Sequence, residues 1–267
     1  MPGHLAPPEM AAIRAPTSHE LVVDQIRRAI QVGRFPIGTR LPPERELAGQ
    51  LGVSRTTVRE AIRVLEDEHL IETRRGRSGG PVVVGPTATS AAIRTELRRR
   101  LGDLENVFDY RLAVEPAAAR LAAARRTQRD LEHLRDVIDA LTGLAAGAHD
   151  ASEVSPPSRF LAADAEFHRR IALATRNPLL VTAVEDARAA MFLPVGGVFP
   201  TLHPRANDYH AEILAGIEVQ DGLGAERAMT AHIETTRAAL RELARPPRLK
   251  RESQAASGRR RPRSSAL

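Results

Sequence analysis

The stretch from Leu41 to Leu70 constrains the fold more than any other part of this chain. It opens with LPPERELAGQLG, a short helix from about Pro43 to Leu51 that Gly52 stops. Two residues later Ser54 is placed to cap a second helix, with Val53 and Val58 at the positions of a hydrophobic staple. Val58, Ala61, Ile62 and Leu65 recur at helical spacing and make one apolar stripe. Arg55, Arg59 and Arg63 lie four apart on a different face, with Thr56 beside them at the first turn.

The flanks complete a small domain. Upstream, Leu21, Val22, Ile26, Ala29 and Ile30 predict a helix from Ser18 that ends near Gly33, and a loop with Pro36 and Gly38 follows. Downstream, IETRRGRSGGPVVV reads as two short strands around a glycine-containing turn. Residues 17–84 therefore give three helices and a hairpin. The capped helix has what reading DNA requires: donors near its N-terminus and an opposite face that docks on the domain. Arginine matches the O6 and N7 acceptors of guanine through its fork, and hydroxyls and helix-start amides suit phosphates. Taken alone, the arginines could equally be a solvated face.

Beyond a linker at 85–92 every long segment has helical period, over 93–101, 103–126, 127–146, 158–176, 178–192, 206–221 and 223–244. The breaks are a loop at 143–158 and a Pro/Gly-rich stretch at 193–204 that would suit a lid. The expected fold is mainly α: an N-terminal winged helix-turn-helix at 17–84 and a C-terminal all-helical bundle at 93–244. Residues 1–16 and the basic tail 245–267 are expected to be disordered.

Net charge supports DNA binding less than it first seems to. Of the formal +6, residues 17–84 contribute +2 and residues 85–240 contribute −3, while the last 27 residues carry nine basic and two acidic groups. That tail is either a solvated appendage or a non-specific attraction for phosphates. No apolar run approaches the roughly 20 residues that span a bilayer, and the first residues lack a secretion pattern. The expectation is a cytoplasmic protein with no membrane association. Cysteine is absent, which removes disulfides and thiolate metal sites, and Lys250 is the only lysine, so no folded segment offers an amine for Schiff-base chemistry.

Three of the nine histidines stand out. Asp164 and His168 lie four apart and share one helix face, while His210 and His232 each sit on a later helix beside apolar residues. Three histidines and a carboxylate make a good shell for zinc, with nickel and manganese as alternatives. Spacing alone leaves a hydrogen-bonded polar cluster as the other reading.

Residues 20–84 resemble the GntR family of winged helix-turn-helix regulators, in its FadR-type branch. The match runs through Gly33-x-Phe35-x-x-Gly38-Thr39-x-Leu41-Pro42-Pro43-Glu44-Arg45-Glu46-Leu47-Ala48 and Leu51-Gly52-Val53-Ser54-Arg55-Thr56-Thr57-Val58-Arg59-Glu60-Ala61. The resemblance assigns Arg45, Arg55, Thr56, Thr57 and Arg59 to DNA, and Arg75 and Gly76 at the wing tip to the minor groove. Two departures stand out: His69 replaces the glycine usual at the helix end, and Pro81 falls in the second wing strand.

Residues 105–240 look like the helical FCD effector domain of that branch. The matching pieces are Arg111-x-x-x-Glu115, Asp164-x-x-Phe167-His168-x-x-Ile171, Asn177-Pro178-Leu179-Leu180, His210-Ala-Glu-Ile213, and His232. By resemblance Asp164, His168, His210 and His232 hold a divalent metal, and a small organic acid is the effector. Arg111 and Asn177 are candidates for touching it; an ion pair with Glu115 and a helix cap are their alternatives. The implied protein is a homodimer on a palindromic double-stranded DNA operator. A metal hydrolase is the alternative of another class, against which four candidate ligands and a Glu166 pointing elsewhere both weigh. A further alternative is an effector domain that holds metal for structure alone.

Overall fold

The computed structural model describes residues 15–76, 79–84, 90–145, 156–191 and 206–245. The expected disordered head and tail, the lid at 193–204 and most of the linker and the 143–158 loop lie outside these residues.

Helix α1, Ser18–Gln31, starts at a capping box. The Glu20 backbone N–H donates to Thr17 Oγ1 at 3.2 Å, and the Thr17 N–H donates to Glu20 Oε2 at 2.7 Å. Two later features of this domain also follow from local chemistry. Helix α2, Glu44–Leu51, ends on Gly52 with φ 66°, a left-handed conformation suited to glycine. Helix α3, Arg55–Asp67, begins where Ser54 Oγ accepts from the Thr57 N–H at 3.1 Å. Val22, Ile26, Ile30, Leu47, Val58, Ala61, Ile62 and Leu65 form the core that locks the three helices together. Each buried large aliphatic among them contributes roughly 1.5–3 kcal/mol.

The hairpin pairs β1, Ile71–Arg74, with β2, Gly80–Val83, antiparallel in the register Ile71↔Val83 and Thr73↔Pro81. Pro81 is accommodated because its carbonyl accepts from the Leu41 N–H at 2.9 Å, on the side away from β1. Its missing N–H falls on that same side, so the β1–β2 ladder loses nothing. His69 does adopt the conformation a glycine would favour, φ 57°, between α3 and β1.

Seven helices follow among the described residues: α4 Ser90–Arg99, α5 Leu101–Arg125, α6 Gln128–Ala145, α7 Pro156–Ala174, α8 Pro178–Ala190, α9 Ala206–Glu218 and α10 Gly222–Ala244. The linker region closes earlier than its sequence suggests, since Ser90 already opens α4. Helix α5 runs through the bundle and packs mainly on α10. Buried Ala118, Ala119, Ala122 and Ala123 of α5 share one core with Ala225 and Ala228 of α10. Pro116 removes one ladder bond from α5 at the level of its buried pair Arg111 and Glu115. No helix among the described residues is long and apolar enough to cross a membrane.

The winged domain rests on the bundle through the end of α1. Gly33, φ 76°, turns the chain where a Cβ would come within 2.9 Å of Ala162 Cα on α7, so glycine is needed for conformation and clearance alike. Beside it Arg28 pairs with Asp186, and Arg34 with Glu185 at 3.0 Å, both acids on α8.

Candidate metal centre and nucleic-acid interface

Helices α7, α9 and α10 converge on one point in the bundle. Asp164 and His168 reach it from successive turns of α7, His210 from the first turn of α9 and His232 from the middle of α10. One ligand atom from each of the four lies within 4.8 Å of all the others, and every one of these residues is buried. The imidazole centroids of His210 and His232 are 4.6 Å apart, and those of His168 and His232 are 5.1 Å apart. Phe167, itself fully buried, closes one side at 4.7 Å from the His210 ring.

The surroundings orient these groups. Glu115 on α5 contacts His168 Nδ1, which leaves Nε2 turned toward Asp164 Oδ1, 3.9 Å away. The same Asp164 oxygen lies 3.2 Å from His210 Nε2, and the other oxygen is paired with Arg188 of α8. Glu115 accepts from Arg111 Nε at 2.6 Å. A carboxylate behind a histidine, fixing which nitrogen is free, is the usual support of a metal-bound imidazole.

Protonation fits the same use. Burial pushes His168 and His232 below the ordinary imidazole value, so both are neutral near pH 7 and keep their lone pairs. Burial alone would raise the Asp164 and Glu115 carboxyls. The charges of Arg188 beside Asp164 and of Arg111 beside Glu115, with the neighbouring histidines, outweigh it and hold both well below the carboxylate range. The result is an anionic Asp164 and the neutral imidazoles of His168 and His232 at a common centre.

Polar atoms left without partners mark what the cluster lacks. His168 Nε2, His210 Nδ1 and His232 Nδ1 are buried with no hydrogen bond, as are both terminal nitrogens of Arg111. Each such group costs on the order of 1–3 kcal/mol if it stays unmet. A divalent cation would satisfy imidazole lone pairs, and an anion would satisfy the guanidinium, so the residues fit both. Glu166, the acid nearest in sequence, is tied to Arg169 and Arg170 and does not enter the cluster.

Not every expected residue arrives. Asn177 caps α8, its Oδ1 accepting from the Leu179 N–H at 3.0 Å. Arg188, which does reach the cluster, sits eleven residues further along α8, roughly 16 Å at the helical rise. Asn177 is thus a helix cap at the end of α8 away from the cluster. A signal for Arg188 existed, since Val184, Ala187 and Met191 define the buried stripe of α8 and position 188 falls on it. Arg111 forms the buried pair with Glu115, and its two terminal nitrogens have no partner.

The second candidate surface lies on α2, α3 and the wing. Arg45, Arg55, Thr56 and Arg59 are exposed together, and Arg75 and Gly76 are exposed at the hairpin turn. Thr57 is half-buried and its hydroxyl lies 2.9 Å from the capping Ser54 Oγ. One feature was not legible from spacing: Glu44 grips Arg59 through both oxygens, at 2.8–3.2 Å.

A family described as "Bacterial regulatory proteins, gntR family" matches residues 19–79, and "FCD domain" matches residues 106–235. The Uxu operon regulator of Haemophilus influenzae is 31% identical over 232 residues, covering 82% of this chain and 80% of its own. The Glc operon transcriptional activator of Escherichia coli is 26% identical over 230 residues, with 84% and 89% covered. Among solved structures, E. coli McbR/YncC superposes with TM-score 0.51 at 19% identity, covering 85% of this chain and 99% of its own, a likeness of fold.

Proposed function

Since this chain belongs to the GntR family of bacterial regulatory proteins and carries an FCD domain, and is a transcription regulator rather than an enzyme, we propose that it is a metal-dependent, organic-acid-responsive regulator acting in the cytoplasm as a homodimer. In this reading Arg45, Arg55, Thr56, Thr57 and Arg59 meet a palindromic operator, with Arg75 and Gly76 in the flanking minor groove. A two-fold dimer presents two copies of α3 to half-sites one helical turn apart or a multiple of it.

Asp164, His168, His210 and His232 hold a divalent ion, for which zinc best suits the one-oxygen, three-nitrogen donor set, with nickel and manganese next. When bound, the ion supplies a Lewis-acid position for a carboxylate oxygen. The chain's own part is to hold the effector: Arg111, with two unmet N–H-bearing nitrogens, and Arg188 flank the cluster and complement an anion. Effector binding must favour one placement of the winged domains over another, or it could not alter operator affinity.

One observation carries this reading: three imidazoles and a carboxylate converge in an apolar core beside an unsatisfied arginine. Metal analysis of the purified full chain is expected to find about one divalent ion per chain, lost in a His210→Ala/His232→Ala double variant. Full occupancy in that variant would place the ion elsewhere.

A further inference from the structure

Where the two domains meet they form a partly open cavity of about 60 Å³, bounded by Ile30, Gly33 and Ile37 of the winged domain and by Leu161, Ala165 and Arg188 of the bundle. Ala165 follows Asp164 in sequence, and Arg188 is the residue paired with Asp164. The floor of this cavity thus shares helix α7 and Arg188 with the surroundings of the Asp164 cluster. Among the described residues that line it, Arg188 alone is charged, and most of the rest are apolar. Its pairing with Asp164 uses Nη2, one nitrogen of a guanidinium that carries five N–H donors.

We propose that this cavity is the second half of the effector site and takes the apolar tail of a short-chain monocarboxylate whose acid group lies against Arg188. The inference rests on the organic-acid reading above and adds the chemistry of the ligand's other end. A mostly apolar wall rewards methylene groups and penalises hydroxyls, for which the uncharged lining offers only Gln31 and Ser158 among the described residues. Volume sets the length. An apolar cavity of about 150 Å³ admits benzene, so this one has room for roughly two to four carbons and no ring. The tail would touch Ile30 and Ile37 directly, so the winged domain is itself part of the site. Occupancy would then bear on the seam where α1 meets α8, without any relay through the bundle.

The test is calorimetric titration of acetate, propionate, butyrate, valerate and hexanoate, with glycerate and glucuronate as hydroxylated comparators, into the zinc-loaded full chain. Affinity is expected to rise about fourfold per methylene, the fold-change matching about 0.8 kcal/mol per buried CH₂. The rise should stop by valerate, and both hydroxylated acids should bind at least tenfold more weakly than butyrate. Leu161→Phe fills the floor and should cost butyrate at least tenfold while leaving acetate unchanged. Ile37→Ala enlarges the roof and should move the optimum one to two carbons longer, which keeps the inference testable if the phenylalanine variant does not fold. Acid binding in the wild type with the same chain-length profile in both variants would overturn this inference alone. No heat from any acid, with zinc still bound, would overturn the organic-acid reading and this inference with it.

Discussion

Arg45, Arg55 and Arg59 stand exposed on helices whose opposite faces are apolar and buried, whereas Arg111 is wholly buried and Arg188 nearly so. The winged domain keeps its stability and its candidate chemistry on separate faces, so α3 can be stripped of its outer side chains without disturbing Val58, Ala61, Ile62 or Leu65. The helical domain cannot separate the two. Its Asp164, three histidines, Glu115 and Arg111 occupy volume that would otherwise be hydrocarbon. Their stability depends on each other and on whatever they bind. One domain carries its charged groups on a surface; the other buries them in its core.

The sharpest way to break that contrast is Arg55→Ala. Loss of a bidentate base contact at each of two half-sites is expected to cost operator binding about 2–6 kcal/mol. Thermal stability should move by less than about 0.5 kcal/mol, as for surface changes generally. A mobility-shift titration alongside a melting curve measures both; a large drop in melting temperature would show that this surface is not separable after all. Glu115→Ala asks the converse. Removing one partner of a buried pair should destabilise the fold by about 3–5 kcal/mol in chemical denaturation. A loss under about 1 kcal/mol would mean water already reaches the pair.

Metal removal should come next in size. With free zinc at 100 times its dissociation constant, linkage stabilises the native state by about 2.7 kcal/mol. Chelation should therefore lower the melting temperature of the wild type and leave that of His210→Ala/His232→Ala unchanged. The smallest effect belongs to the seam. Arg34, half-exposed and paired with Glu185 at 3.0 Å, is expected to contribute at most about 1 kcal/mol, so Arg34→Ala should barely shift a denaturation midpoint.

How much of this could be read beforehand divides along the same line. The Ser54 cap, the α3 stripe and the Asp164/His168 pair depend on contacts within a few residues, and local spacing exposes them. Even His69 and Pro81, departures from the family pattern, settle by local means, one in a left-handed turn and the other with its missing N–H away from β1. The pairing of Arg188 with Asp164 was half legible: the α8 stripe marks position 188 as inward, but which end of α8 meets the cluster depends on how α8 sits against α7. The grip of Glu44 on Arg59 depends likewise on how α2 crosses α3. The cavity under Gly33 depends on the meeting of two domains, which no periodicity encodes.

The account stands on α3 reading sequence from a two-fold assembly. Its most direct test is selection from a random duplex library by the metal-loaded full chain, with and without butyrate, against Arg55→Ala. Enrichment of a two-fold symmetric motif by the wild type and none by the variant is the predicted result. Equal recovery of all sequences by the wild type in every condition would contradict it.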